Sequence, residues 1–302
     1  MHVAITGGTG MIGTALAAAL AARGDRVTVL TRKPASRPDL VRWDPVRGVA
    51  KVRRLEGLDA VVNLTGAPLA TRPWTGPRRR ILVDSRVAAT EAIVGSLARL
   101  DDPPGVFVGV GTLGIYGDRG DAWIDDDDAP GEGFLAELGM AWEGAHQRAA
   151  TELGARVAVL RLGICLSSGG GGFPSIMGPF KHGFGGWLGS GRQFTAWLSL
   201  RDTVGALLHL LDTPGAAGPF NGNVPDPVRN RAWCEALGHV LDTQVMTHAP
   251  GWALRGALGE LADAIFLNSV RARPRKLLET GYTFVDPEVE AVFCRLVTET
   301  GL

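Results

Sequence analysis

The hydrophobic pattern opens with a short continuous apolar run, His2 to Thr6, that halts at Gly7, as a strand buried on both faces should. From Met11 to Arg23 the chain turns Ala- and Leu-rich, which predicts a helix, and Gly24 supplies its stop. The β-branched run Arg26 to Leu30 predicts a second strand. Strand, helix and strand in so short a span make a βαβ unit, whose crossover is right-handed. The alternation continues with a strand at 59–64, a helix over about 77–100, a strand at 106–110, a helix at 134–153 and a strand at 157–162. It predicts an α/β fold with a doubly wound parallel sheet of the Rossmann kind. After Gly163 the texture changes. SSGGGG at 167–172 and HGFGGWLGSG at 182–191 are too glycine-rich for regular structure, and they predict loops or a lid. Helices follow at 202–211, 231–241, 252–266 and 287–299, the first packing back on the sheet. The expected division is a dinucleotide-binding domain over 1–163 and a smaller, mostly C-terminal substrate-side lobe over 164–302, interleaved with it.

Charge and composition narrow the class. Among 302 residues, 31 basic side chains balance 31 acidic ones, which argues against a nucleic-acid or polyanion binder. The runs Arg78 to Arg80 and Asp125 to Asp128 read as solvated surface. Three cysteines, Cys165, Cys234 and Cys294, are too few and too scattered for a disulfide framework or a zinc site, so no metal is expected. No apolar stretch approaches the ~20 residues that span a bilayer. The first residues lack the basic start of a signal peptide. A cytoplasmic monomer or homodimer handling a small molecule, away from membranes, is the expectation.

Glycine recurs at Gly7, Gly10 and Gly13, and G-x-G-x-x-G also fits at Gly8, Gly10 and Gly13. The motif stands between the first predicted strand and the first predicted helix, where missing Cβ atoms allow a tight turn and let a pyrophosphate approach the backbone. The amides of Met11 and Ile12 open that helix, and its dipole favours an anion. The end of the second strand selects the cofactor. An acid there would serve the ribose 2′-hydroxyl of NAD, whereas a 2′-phosphate wants arginine. This chain reads Leu30-Thr31-Arg32-Lys33, with no acid before Asp39. Arg32 can fork onto the phosphate and Thr31 can add a hydroxyl bond, so NADP(H) is expected.

The glycine motif with Arg32, and then Trp43-Asp44-Pro45, resembles the extended and atypical short-chain dehydrogenase/reductases. Asn63-Leu64-Thr65-Gly66, Trp74-Thr75, Asp84-Ser85-Arg86-Val87, Tyr116-Gly117-Asp118-Arg119-Gly120-Asp121, Gly189-Ser190-Gly191-Arg192-Gln193 and Pro227-Val228-Arg229-Asn230 resemble its YfcH-like branch. Pro274-Arg275-Lys276-Leu277-Leu278 with Gly281-Tyr282-Thr283-Phe284 is similar to the small terminal domain of that NAD-dependent epimerase/dehydratase branch. The resemblance implies a dinucleotide along the strand ends, bordered by Leu64, Thr65 and Gly66 and faced by Arg86.

Ordinary members of the superfamily pair Tyr-x-x-x-Lys with a Ser or Thr, the lysine lowering the tyrosine pKa for proton exchange. This chain has two tyrosines, Tyr116 and Tyr282, and residue 120 is glycine and residue 286 aspartate, so the pair is missing. Over 136–143 the chain offers Trp142 and Glu143 instead. Where the branch has serines after the fourth strand, this chain reads Gly109-Val110-Gly111, and where the branch has histidine it has Ser199. Thr112 and Tyr116 are left as candidate catalytic groups, and Arg192, Trp197 and Asn221 as candidate substrate contacts. The function expected is an atypical NADP(H)-dependent oxidoreductase on a small carbonyl or hydroxyl compound. A redox-sensing or scaffold protein that binds the dinucleotide with little catalysis is the alternative. Nucleotide-sugar epimerisation or dehydration is weaker, because a transient 4-keto intermediate also needs the absent phenolate.

Overall fold

The computed structural model describes residues 1–34 and 37–300, apart from the side chain of Ser175. Its centre is a parallel sheet of seven strands, β1 (His2–Thr6), β2 (Arg26–Thr31), β3 (Leu40–Arg42), β4 (Ala60–Asn63), β5 (Val106–Thr112), β6 (Arg156–Leu162) and β7 (Gly218–Gly222). Their order across the sheet is β7-β6-β5-β4-β1-β2-β3. The winding reverses between β1 and β4, and a crevice opens outside the carboxyl ends of strands at such a switch point.

Successive side chains on each strand take opposite faces. Val3, Ile5, Val62, Val108 and Leu160 pack on one side with Leu16 and Leu20 of helix α1 (Met11–Ala22). Ala4, Val61, Phe107 and Val159 pack on the other with Ile93, Val94 and Leu97. Both faces are therefore covered, as the unbroken apolar strands require. Helices α2 (Gly76–Asp84), α3 (Val87–Leu97) and α4 (Phe134–Leu153) lie between β4 and β6 in the chain. After β6 come α5 (Phe173–Lys181), α6 (Leu200–Asp212), α7 (Asn230–Val240), α8 (Gly251–Leu258), α9 (Arg275–Glu279) and α10 (Val289–Glu299). Leu207, Leu210 and Leu211 of α6 join the α1 side of the sheet, whereas Phe173, Trp197, Trp233 and Phe293 build a separate core in the lobe. Among the described residues no helix is long and apolar enough to cross a membrane.

Several elements differ from expectation, each for a local reason. The helix foreseen over 77–100 is two helices, broken where Ser85 and Arg86 let the Arg86 guanidinium turn inward to the carbonyls of Ala67 and Leu82. The glycine-rich stretch 182–191 contains a strand, 186–188, that pairs with 247–249. The helix foreseen over 252–266 stops at Gly259, whose φ of 61° suits glycine, and resumes as a wider turn at 262–267. Strand β7, which follows the lobe's first helices in the chain, pairs with β6 and completes the sheet. The acidic run 125–128 is not all solvated. Asp126 is fully buried, and its carboxylate accepts from the amides of Asn221 (2.6 Å) and Lys276 (3.1 Å). Asp202, equally buried at the start of α6, holds the C-terminal segment in the same way. It accepts from the Tyr282 hydroxyl (2.8 Å) and the amides of Val285 and Asp286 (both 2.9 Å).

Candidate functional site

At the switch point the chain leaves β1 through Gly7, whose φ is 67° and against which the Leu64 carbonyl of the next loop packs. A Cβ on Gly7 would meet that oxygen at 2.7 Å, and one on Gly13 would meet the Gly7 oxygen at 2.4 Å. Those two glycines are required by the protein's own packing. Gly10 is different. A Cβ there would find only the Gly7 oxygen, at 3.3 Å, and the residue is exposed as the N-cap of α1 without a side-chain cap. Among the described residues, no backbone carbonyl accepts from the amides of Met11 and Ile12. A bare backbone with open helix amides fits an approaching diphosphate. Glycines 170 and 171 lie over the Met11 side chain, so the lobe covers this loop from the other side. Ser168 tethers that cover to Glu299 of α10 at 2.6 Å.

Thr31 is buried at the end of β2, and its hydroxyl oxygen accepts from the Lys33 amide at 3.2 Å, shaping the turn that presents Arg32. Arg32 is exposed and has no carboxylate partner among the described residues. A free guanidinium at this corner fits a ribose phosphate better than a hydroxyl.

The other wall of the crevice rests on a neutral polar network. The Asn63 carbonyl oxygen accepts from the hydroxyls of Thr6 and Thr65, both at 2.6 Å, and its amide donates to Thr90 (2.7 Å) and to His146 Nε2 (3.2 Å). With Nε2 accepting, the ring proton lies on Nδ1, which is buried without a partner. Burial pushes the His146 pKa down to about 3, so the ring is neutral. His146 occupies the space a side chain at Gly109 would need, 2.7 Å from a Cβ there. The glycine that stands where serine was expected is thus the room this histidine fills. Thr65 is buried beneath Leu64 and Gly66. Arg86 packs against Gly66 and over the Trp142 ring at 5.0 Å. Burial first, and Arg78 second, lower its pKa to about 10, leaving it a cation with two carbonyls for partners.

The end of β5 is arranged differently from the superfamily pattern. Thr112 caps the following turn, its oxygen accepting from the Gly114 amide at 3.1 Å, and it is half-buried with its own proton free to donate. Helix α4 turns Leu135 and Gly139, four positions apart, toward this turn, against Gly114 and Ile115. Leucine and glycine fill the surface beside the strand-end hydroxyl. A cavity of about 190 Å³ opens on the far side of the Gly114 turn, between Gly114, Gly117 and Leu135 on one side and Glu260, Asp263 and Asn268 on the other, and Thr112 does not line it.

Tyr116 does not line that cavity. It is 1% exposed, and its hydroxyl accepts from Arg161 (2.5 Å) and donates to Asn221 (2.8 Å). Burial raises its pKa to about 12, partly opposed by Arg161. Arg161 forks onto Glu143 at 2.7 and 2.8 Å. Burial acts against the Arg161 charge, but the Glu143 fork more than offsets it and the pKa rises. Asn221 is also fully buried, donating to the Arg273 carbonyl at 2.9 Å. Trp197 is 1% exposed in the lobe core. Ser199 caps α6, its oxygen accepting from the Asp202 amide at 3.0 Å. Of the residues singled out for reaction or substrate, Thr112 and Arg192 reach the surface, and Tyr116, Trp197 and Asn221 are interior.

A model of the NAD dependent epimerase/dehydratase family matches residues 3–221, and one for a domain of unknown function (DUF1731) matches residues 249–296. The chain belongs to the NAD-dependent epimerase/dehydratase family. Epimerase family protein MT2273 of Mycobacterium tuberculosis is 38% identical over 93% of this chain and 93% of its own length. The crystal structure of human epimerase family protein SDR39U1 with NADPH superposes with a TM-score of 0.89 at 30% identity, covering 99% of both chains. UDP-N-acetylglucosamine 4-epimerase of Bacillus cereus shares the fold, with a TM-score of 0.79 at 14% identity and 99% of both chains covered.

Within that family fold, the groups that sequence reasoning missed are interior ones. Arg161 carried a signal, a lone cation inside the apolar run VAVLRL. His146 had a fainter one, Gly109 opposite it on β5. Asp126 had none, since an acidic run gives no sign of which member is buried.

Proposed function

We propose that this family member is an atypical NADP(H)-dependent oxidoreductase acting on a small carbonyl or hydroxyl compound. The observation that carries the proposal is the start of α1, where Gly10 is bare and the Met11 and Ile12 amides are open, together with the unpaired Arg32 at the next strand end. The NADPH in the human relative's crystal structure supports it. Gly7, Gly10, Met11, Ile12 and Gly13 would hold the diphosphate, Thr31 and Arg32 the 2′-phosphate, and Leu64, Thr65, Gly66 and Arg86 the opposite side. The cofactor, when bound, supplies or accepts a hydride at nicotinamide C4. Thr112 would donate its free hydroxyl proton in a hydrogen bond to the substrate oxygen, with water exchanging the proton. Arg192 would meet an anionic part of the substrate.

Titration calorimetry tests the cofactor half. NADPH should bind more tightly than NADH, and Arg32→Asp should weaken NADPH at least tenfold more than NADH; equal losses would refute the 2′-phosphate role. NADPH consumption across a panel of aldehydes and ketones tests the rest, with Thr112→Val expected to slow any turnover at least tenfold. One observation favours a dinucleotide-binding sensor instead: Leu135 and Gly139 pack on Gly114 and Ile115, in the turn that Thr112 caps, and bring no proton donor. Tight NADPH binding with no turnover across the panel would decide for the sensor.

A further inference from the structure

Between Leu166 and Phe173, both fully buried, the chain runs Ser167-Ser168-Gly169-Gly170-Gly171-Gly172. Leu166 ends a short strand paired with Trp197–Ser199, and Phe173 stacks on Phe293 of α10 at 5.7 Å. Both ends of this strap are thus anchored in the lobe core. Its middle is not. Gly169, Gly171 and Gly172 are exposed, and the strap carries no apolar side chain to bury. Gly171 takes a φ of 71°, and a Cβ on it would meet Met11 Sδ and Cε at 3.2 Å. The strap therefore passes as bare backbone over the first residue of α1, across the mouth of the glycine loop. Glycine loses more conformational freedom on being held than any other residue, so such a strap opens easily unless something fastens it. Among the described residues, one side-chain hydrogen bond runs from the strap to another element: Ser168 Oγ donates to Glu299 Oε2 at 2.6 Å. Arg295, one turn earlier on α10, donates to Glu299 at 3.0 Å and to Asp286 at 2.6 Å, and the Asp286 amide donates to Asp202 at 2.9 Å. The acceptor is braced by α10, which runs out of the terminal domain of unknown function.

We propose that residues 167–172 are a strap that must lift for the dinucleotide to enter or leave the glycine loop, and that Glu299, through Ser168, is the latch that holds it down. The terminal helix thereby sets how long the cofactor stays. A bond made with the strap down and broken with it up resists opening and does little to closing, so it acts on release more than on capture. Ser168 and Glu299 are positioning residues, acting on the dinucleotide through the strap alone. The latch deepens the cofactor assignment above and rests on it, adding what governs exchange.

The test is stopped-flow release of NADPH from the preloaded full chain, chased with excess NADP+ and read by NADPH fluorescence. Ser168→Ala and Glu299→Ala should each speed release about fivefold, the worth of one hydrogen bond, while capture changes by less than about twofold. The double variant should be no faster than either single one, because both remove the same bond. Glu299→Gln, which keeps a carbonyl oxygen for Ser168, should restore most of the native rate. Release unchanged in the single variants overturns the latch. So do two effects that multiply in the double variant, since the residues would then act apart. If NADPH fails to bind the native chain, the cofactor assignment falls instead. Amide exchange over 168–173 then decides the latch separately: about fivefold faster in Ser168→Ala supports it, and an unchanged rate overturns it.

Discussion

The polar cluster under β4 is wholly buried, the one under β5 to β7 is buried except for a half-buried Glu143, and the two are built from opposite materials. The first joins Thr6, Asn63, Thr65, Thr90 and His146, all neutral, through an amide that serves both as acceptor and as donor. The second joins Arg161 and Glu143, an ion pair, to Tyr116, Asn221 and Asp126. Neutral groups lose little on leaving water if each bond is made, whereas buried ions are held only by near-complete pairing. The neutral cluster shapes a wall of the crevice without placing a charge beside a ligand that is itself an anion. The charged cluster ties β5, β6 and β7 to the loop at 125–128 and to the C-terminal segment, and in doing so it takes up the one tyrosine that stood near the strand ends.

If that division of labour holds, breaking the charged cluster should cost most. Arg161→Met leaves Glu143 without its cation and Tyr116 without a donor, and urea unfolding should show a loss of about 3–5 kcal/mol. Adding Glu143→Leu should restore most of it, with NADPH affinity unchanged throughout; a single variant that loses under about 1 kcal/mol would remove the cluster's role as a fastener. Asn63→Leu strips the acceptor from the Thr6 and Thr65 hydroxyls and the donor from the His146 ring, while Thr90 keeps the Trp142 indole, so a loss of about 2–3 kcal/mol is expected. Unlike the Arg161 change, it should also weaken NADPH, by about tenfold or 1.4 kcal/mol in calorimetry. A wall that bends without affecting the cofactor would erase the contrast.

The next effect is a pH slope. His146 titrates near 3 in the folded protein and near 6.5 when unfolded. Its folded pKa is depressed, so the stabilisation is whole above about 6.5 and falls with pH toward the folded value, because the unfolded chain takes up the proton first. Lowering the pH from 7.5 to 5 should cost about 2 kcal/mol from this residue, and His146→Gln should flatten the urea-unfolding profile by that share. The smallest effect belongs to Tyr116→Phe. Removing one buried hydroxyl should cost about 1 kcal/mol and leave NADPH affinity and any turnover as they were. Lost turnover with intact folding would return Tyr116 to the reaction.

The sheet and the glycine loop were legible in the sequence because each is set by short-range constraints. An apolar run that stops at glycine has few structures open to it, and strands β1, β2, β4, β5 and β6 fall where the pattern put them. Strands β3 and β7 were not legible, since LVR and GPFNG are short and their pairing depends on neighbours distant in the chain. The cofactor side of the site could be approached from local motif geometry. The reaction side could not, because whether Tyr116 faces a cavity or Arg161 depends on which strand end lies beside it. Asp126 and Asp202 make the same point: a carboxylate that accepts distant amides looks, in a sequence, like any surface acid.

Asp202 has one consequence for how this molecule can be cut or rearranged. Its three outside donors come from a stretch eighty or more positions downstream. A chain truncated before residue 249 would strip them all at once and leave the Asp202 carboxyl with the Ser199 hydroxyl alone. The terminal module of unknown function is therefore closer to a keystone than to a tail. Grafts or permutations that move it should be made as swaps that carry Asp202 and its donors together.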